Sequence, residues 1–549
     1  MPLTLFNESL DDTPEISSSE GFTGADFATP ANLLPVDTVR AGRNIYFTPD
    51  GIAQTRPGLR LNANRSATAG TTTSRVQGMI YYDIPGFERS LFVRDGVVYE
   101  VATAEAGAAS AVVAGITPST SAPIRMAQLV DSVFMADASN TLRWARYTAG
   151  SWSTGTVATF ADTTAMPAWG GLCAHRFRLF AFDAEGNRLY ASAVGQANAP
   201  ADWVQTDNIR VGNGEGDPIV ALISGQAGNL IVLCQASAWA INTTAASLAD
   251  YSVTQITNLT GCVAAATALQ IGQDVLFLSR YGVVSLGALA DNISINAATT
   301  LSAPMQPIID SINWSAINTA FATSWQELYL LCVPVNVSAA GASPSLFLVY
   351  NTRTRRWNTP WSAAPATGVP AYSPFSWTSA AISRFAGKQE TLLGDNAGRI
   401  FRIEPALSAD DQAGGSAPIT CHFTTKAEDF GAAVNPKSPF WCKLTFSDST
   451  ATASYAMVRD GNVSYPESAI TLSVGGDVLE QDITTGTLGT WPILFPLVFV
   501  RNILFERSFS LRGRNRFHEA SIQIVATLGR LRLRRVRLAA FIDSPDLDQ

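Results

Sequence analysis

One pattern recurs along most of this chain and limits what it can fold into: a short apolar run, a turn, and a second apolar or aromatic run. It first appears as Leu91-Phe92-Val93, then Asp95-Gly96, then Val97-Val98-Tyr99. It returns as Val133-Phe134-Met135 with Leu142 and Trp144, as Leu179-Phe180-Ala181-Phe182 with Leu189-Tyr190, and as Leu230-Ile231-Val232 with Trp239 and Ile241. Later copies are Val275-Leu276-Phe277 with Val283-Val284, Leu328-Tyr329-Leu330-Leu331 with Leu346-Phe347-Leu348-Val349-Tyr350, and Leu392-Leu393 with Ile400-Phe401. Starts at 91, 133, 179, 230, 275, 328 and 392 lie 42, 46, 51, 45, 53 and 64 residues apart.

Runs this short, rich in Val, Leu, Phe and Tyr and bounded by Gly, Asn and Asp, read as strands, whereas helical periodicity is scarce. A unit of about 40 to 50 residues with several strands has the size of one propeller blade. A blade with two apolar faces cannot fold alone and must pack against neighbours on both sides. The expected fold is therefore mainly β, a β-propeller over residues 31–408 with seven blades favoured and six as the competitor. Two or three separate β-sandwiches are the other architecture compatible with regular strands, but these would break the series into units of about 100 residues. Residues 1–30 are polar and acidic and read as an N-terminal arm. The stretch from Ala409 to Ser416 marks a boundary, and residues 409–549 read as a β-sandwich-like C-terminal domain with strand patterns such as Ser521-Ile522-Gln523-Ile524-Val525.

Charge and composition exclude several roles. A net charge of -8 argues against capture of nucleic acid by overall positive charge. The six cysteines are scattered and sit mostly in apolar runs, so they read as buried thiols made in a reducing cytoplasm. The first residues carry Glu8, Asp11 and Asp12 where a secretion signal would be basic and apolar. The longest apolar stretch, Trp491 to Val500, contains Pro492 and Pro496 and is about half a membrane span, so no membrane insertion is expected.

Chemistry-bearing residues do not gather into a motif. His175, His422 and His518 stand apart, and the pairs within Cys173-Ala174-His175 and Cys421-His422 lack the two further ligands that a structural zinc site needs. Gly212 to Asp217 alternates glycine with acidic residues but lacks calcium-loop spacing and runs into Pro218, so it reads as a turn between units. Asp83, Asp95, Asp131, Asp183, Asp274 and Asp395 fall in turns at differing positions of the repeat, where turn formation accounts for them. No catalytic, cofactor-binding or metal-binding residue is expected, and no cofactor. A carbohydrate-active propeller enzyme, with carboxylates gathered at one mouth, is the enzymatic rival.

The suggestive charges are arginines. In the run from Arg530 to Leu538, strand alternation points Arg530, Arg532 and Arg534 to one face and leucines to the other. With Arg512, Arg514 and Arg516 they form a candidate basic patch, read as a solvated or intersubunit face, or else as a DNA-facing one. The segment Trp491 to Phe505 is apolar enough to be a core strand, a subunit contact or a channel constriction.

Leu34-Pro35-Val36-Asp37-Thr38-Val39-Arg40-Ala41-Gly42-Arg43-Asn44-Ile45, then Asp50-Gly51, then Thr55-Arg56-Pro57-Gly58, resembles the opening signature of tail nozzle and hub proteins of short-tailed bacteriophages, including those called tail tubular protein B or packaged-DNA stabilisation protein. Further segments fit in order: Asn187 to Ser192 followed by Ala201-Asp202-Trp203, Gly261-Cys262-Val263, Tyr350-Asn351 with Trp357, and Thr425 to Gly431. The resemblance implies a structural protein of the virion tail, made in the host cytoplasm. It also implies a homo-oligomeric ring, usually a hexamer, docked below an adaptor or tail-tube ring, with tail fibres as further neighbours. Phage DNA would pass through that ring. A receptor-binding module at the tail tip is a third alternative.

Overall fold

The computed structural model describes residues 14–542 apart from 62–74, 102–110, 187, 213–215, 226–227, 246, 273, 288–299, 336–343, 363–376, 386–387, 413–414, 433–434, 448, 450, 460–461, 472–503 and 511–517. The fold is mainly β, with strands accounting for 57% and helix for 6%. Among the described residues, seven small antiparallel sheets follow one another. Their second strands are Phe87–Arg94, Ser132–Ala136, Arg178–Asp183, Asn229–Cys234, Asp274–Ser279, Leu328–Pro334 and Lys388–Asp395. Each of the seven apolar runs that open the sequence repeat lies in one of these second strands, and its partner run lies in the third strand of the same sheet.

The reason is burial on both faces. In sheet 2, Val133 and Met135 enter a cluster with Tyr82 and Leu91 of sheet 1, while Phe134 between them enters a cluster with Trp169 and Leu179 of sheet 3. In sheet 4, Leu230 and Val232 meet Phe180 of sheet 3, and Ile231 and Leu233 meet Phe277 of sheet 5. In sheet 7, Leu393 packs with Leu330 of sheet 6 and Leu392 with Val76 and Phe92 of sheet 1. Successive residues of a strand point to opposite faces, so a strand sandwiched between two sheets is apolar throughout. First strands touch in the same order, Val76–Ile84 to Arg125–Leu129, Trp169–His175, Ile219–Ser224, Leu269–Ile271, Phe321–Trp325 and Trp377–Phe385. The last of these touches the first.

The outer strand of sheet 7 comes from far away in the sequence: Gly58–Leu61 pairs with Ile400–Glu404, with Phe401 opposite Leu61 and Glu404 opposite Gly58. Beyond the seven sheets stand two six-stranded sheets. One runs Leu504–Ser510, Lys437–Ser447, Arg532–Ile542, Ala53–Thr55 and Ile45–Phe47, with Glu15–Ser19 also on Arg532–Ile542. The other runs Gly24–Ala25, Thr38–Arg43, Cys421–Thr425, Ala520–Leu528, Thr452–Arg459 and Asn462–Thr471. One buried cluster takes side chains from both sheets, such as Leu444 and Leu538 from the first and Phe423 and Ile524 from the second, and adds Leu278, Leu331 and Leu348 of sheets 5 and 6.

This pairing draws the units differently from the sequence-based division at residues 30 and 408. Residues 15–55 pair with the C-terminal strands, and the first strand of the series that belongs to the seven sheets is Gly58–Leu61. The partners of these early strands lie hundreds of residues downstream, a separation that local patterning does not register. Residues 1–13 lie outside the described residues.

The crossing from one unit to the other, at Arg56-Pro57, is fixed by a buried polar lock. Arg56, 3% exposed, uses all five of its N–H groups: Nε donates to Asn44 Oδ1 at 3.1 Å, Nη1 to Pro57 O at 2.8 Å and Asp410 Oδ1 at 2.9 Å, and Nη2 to Ser362 O at 2.8 Å and to Asp410 Oδ2. Asp410 also accepts the amide of Leu59 at 3.1 Å. Asn44, at φ 59°, sits in the left-handed region that Asn tolerates, and its side chain accepts from Ser362 N at 2.8 Å and donates to Thr420 O at 2.9 Å. Gly58 is obligatory, because a Cβ there would collide with Ala409 O and the Leu407 side chain. Removing one partner of such a pair leaves the other charge buried, so Asp410→Ala is expected to cost about 3–5 kcal/mol of unfolding free energy in urea titration, against under 1 kcal/mol for a truncation of the exposed Arg353–Glu327 pair.

Candidate interface on the C-terminal strand

Strand Arg532–Ile542 carries the arginines singled out from sequence. Its start is pinned by Thr55: Thr55 N donates to Leu531 O and Leu531 N to Thr55 Oγ1, each at 3.0 Å. Arg532 lies opposite Gln54, and Leu533 is flanked by Ala53 and Phe446. Next to it the register shifts: Phe446 faces Leu533, but Thr445 faces Arg535, so Arg534 is the extra residue of a bulge. The shift keeps the core face apolar, with Leu531, Leu533, Val536, Leu538 and Ala540 all buried. It also puts Arg535 and Arg537, not Arg534, in line with Arg532 on the other face. Lys443, directly opposite Arg537, belongs to that face as well.

The strict alternation expected for Arg530, Arg532 and Arg534 is therefore corrected after Leu533. Arg534 is exposed at the bulge, and the guanidinium of Arg530 donates to Pro405 O. Arg512, Arg514 and Arg516 lie outside the described residues, as does Trp491 to Phe505 except for its last two positions, which begin strand Leu504–Ser510. Sequence reasoning missed Arg535, Arg537 and their partner Glu20. The signal was present in the Arg534-Arg535 doublet, which breaks an otherwise alternating run. Glu20 pairs with Arg535 and, at 3.8 Å, with Arg537. Its carboxyl is held below the usual range by a hydrogen bond from Ser18 Oγ at 2.6 Å and then by the two guanidinium groups. A partly exposed face with several cations suits carboxylates or phosphates of a partner.

The other polar candidates serve the sheets. His175 bridges sheets 3 and 4, with Nδ1 2.8 Å from Ser224 Oγ and Nε2 2.9 Å from Thr243 Oγ1. Burial holds His175 and His422 below the ordinary histidine pKa. Burial raises the thiols of Cys173 and Cys234 to about 12 and those of Cys262 and Cys421 to about 11, which keeps them protonated and unreactive at neutral pH. Asp217, from the glycine-rich segment, accepts Ala236 N at 2.7 Å and the Ser237 hydroxyl, tying the turn after sheet 3 to a hairpin of sheet 4. Residues 213–215 of that segment lie outside the described residues. Asp395 accepts Ala397 N at 3.0 Å and Arg399 N at 2.7 Å, as a turn former does, whereas Asp274 ties the end of its hairpin by accepting the Ser285 hydroxyl at 2.5 Å and Gly287 N at 3.1 Å. Among the described residues, no three His, Cys, Asp or Glu side chains stand close enough to hold a metal ion, and no helix is long and apolar enough to cross a membrane.

Because the folded pKa of His175 lies below the unfolded value of about 6.5, the unfolded chain binds more protons near and below that value. Its contribution to stability is complete above that pH and is lost as pH falls towards the folded pKa. Urea midpoints recorded from pH 7.5 to 5 should therefore decline less steeply for His175→Gln than for the unmodified chain.

No family model matches this sequence, and no curated protein does. Among solved structures, a similar one is PorZ, described as an essential bacterial surface component of the type-IX secretion system of Porphyromonas gingivalis, at 10% identity and a TM-score of 0.36. The match covers 68% of this chain and 42% of PorZ, so the chain spans less than half the length of that protein.

Proposed function

We propose that the seven sheets are the blades of a closed β-propeller, that the two six-stranded sheets form a β-sandwich docked on blades 5 and 6, and that the chain is a non-enzymatic structural subunit of a short-tailed phage tail. In this reading several copies, six by the resemblance, form the nozzle or hub ring around the DNA exit channel, below an adaptor or tube ring.

The observation that carries the reading is the role of the Arg43-Asn44-Ile45 and Arg56-Pro57-Gly58 segments on which the resemblance rests. They lie at the lock between the two units, where Asn44, Arg56 and Asp410 tie the strands of residues 15–55, the outer strand of sheet 7 and the Asp410 hairpin together. Such residues transmit load between units and take no part in turnover. Asp137, Asp217, Asp395 and Asp410 are engaged with turn amides, hydroxyls or arginines. A net charge of -8 per copy, multiplied around a ring, repels DNA from the lumen wall, so a genome slides without sticking. The cationic face of Arg532, Arg535, Arg537 and Lys443 suits the acidic side of a neighbouring copy in a heterologous, closing interface.

Purified protein imaged by negative stain, alone and with its neighbouring ring protein, should give rings with a central hole, and light scattering should give a matching mass. A strictly monomeric species at micromolar concentration under both conditions would contradict the reading. Within it, Arg535→Glu combined with Arg537→Glu should shift the ring towards monomer while leaving the urea midpoint nearly unchanged, since exposed ion pairs contribute little to folding.

A further inference from the structure

Two hollows of about 590 and 370 Å³ adjoin at the end of sheets 4 and 5 where second strands turn into third strands. Gln235, Arg280 and Tyr281 line both, so the two run together as one trough. Trp314 opens the short 3-10 helix Trp314–Thr319, between sheets 5 and 6, and stands on the wall of the larger hollow, beside the apolar Val263 and Ile309. Among the described residues three aromatic side chains are more than a third exposed, Phe177, Tyr281 and Trp314, and two of the three meet here.

The backbone that carries these side chains is fixed. Gln235 N donates to Pro218 O at 2.9 Å, and Asp217 holds the next residue, Ala236, by its amide. In sheet 5, Ser279 Oγ donates to Gly282 O at 2.9 Å and accepts Tyr281 N at 3.1 Å, while Gly282, at φ 116°, lies so close to Ser302 that no Cβ would fit. Asn313 caps the helix under Trp314 by accepting Ser315 N at 3.2 Å. Cys262 N and Val263 N donate to Cys234 O and Leu278 O, so the amides along the trough are engaged and an extended peptide gains no strand edge from them. The side chains of Gln235, Arg280, Tyr281 and Trp314, by contrast, have no hydrogen bond, ion pair or ring contact among the described residues.

Exposed aromatic faces held rigidly beside an unengaged amide and guanidinium match a ligand whose surface alternates C–H patches with hydroxyl groups. A pyranose ring lays its C–H face on an aromatic ring while its hydroxyls exchange hydrogen bonds with planar polar side chains. We propose that the trough binds an oligosaccharide chain, with Trp314 and Tyr281 as the stacking faces and Gln235 and Arg280 as the hydrogen-bonding groups. Two hollows in line suit a linear chain rather than a single sugar. Asp310 is the one carboxylate on the lining and is held by Gln306 Nε2 at 2.7 Å. The lining thus lacks the pair of carboxylates that glycosidic cleavage uses, and the trough holds a glycan without cutting it. The inference uses only the trough and stands independently of the tail assignment.

The test applies the full chain to an array of printed glucans, amino-sugar polymers and uronic-acid polymers, and titrates whichever binds, as its hexasaccharide, by calorimetry. Saturable binding of one hexasaccharide per chain is expected. Trp314→Ala should weaken it by about tenfold or more and Tyr281→Ala severalfold, whereas Phe177→Ala, an exposed aromatic on another turn, should leave it unchanged. Should Trp314→Ala fail to fold, Tyr281→Ala and Gln235→Ala decide. No binding to any polymer on the array, or binding that Trp314→Ala and Tyr281→Ala both leave intact, overturns the proposal. So does a fall in light-scattering mass in these two variants without any glycan binding by the unmodified chain, which would assign the trough to a neighbouring copy.

Discussion

A guanidinium buried between two structural units has to be fully satisfied or it destabilises both. Arg56 meets that condition by spending every N–H on Asn44, Pro57, Ser362 and Asp410, which belong to four separated stretches of chain. The geometry that satisfies it fixes where residues 15–55 end, where Gly58–Leu61 begins, and where the chain leaves sheet 7. A hydrophobic contact at this crossing would hold the units together but would tolerate sliding. A forked ion pair with a left-handed Asn beside it admits one register, at the cost of being strongly destabilising when broken.

The apolar clusters depend on that register. Each second strand sends alternate side chains to the sheet before and the sheet after, so seven sheets bury one another in sequence, and the pair formed by Leu392 with Val76 and Phe92 joins the last to the first. Among the contacts that join neighbouring members of the seven sheets, that one is the longest in sequence. It is held from outside by a strand, Gly58–Leu61, whose position the Arg56–Asp410 pair determines. In the proposed propeller, the N-terminal strand thus closes the circle and the two-sheet unit braces it.

How much of this the sequence disclosed follows from burial. Second and third strands were legible because both faces are covered and they read as continuous apolar runs. Fourth strands such as Ser252–Thr257, mostly exposed, carry ordinary surface residues and left no mark. The N-terminal strands have strand-like composition but no local sign of their partners, so local patterning groups residues 31–57 with the strands that follow them in sequence, whereas their pairing is with strands far downstream. On the arginine strand, a one-residue bulge moved the cationic face from Arg534 to Arg535 and Arg537, a change that strict alternation cannot foresee.

The central claim is that residues 58–61 complete the seventh sheet and so hold the last sheet against the first. An electron density map of the isolated chain at side-chain resolution tests it most directly. The account predicts Phe401 opposite Leu61, Arg56 in a forked pair with Asp410, and Leu392 packed on Val76. A map in which Gly58–Leu61 pairs elsewhere, or in which sheets 1 and 7 stand apart with solvent between them, would contradict it.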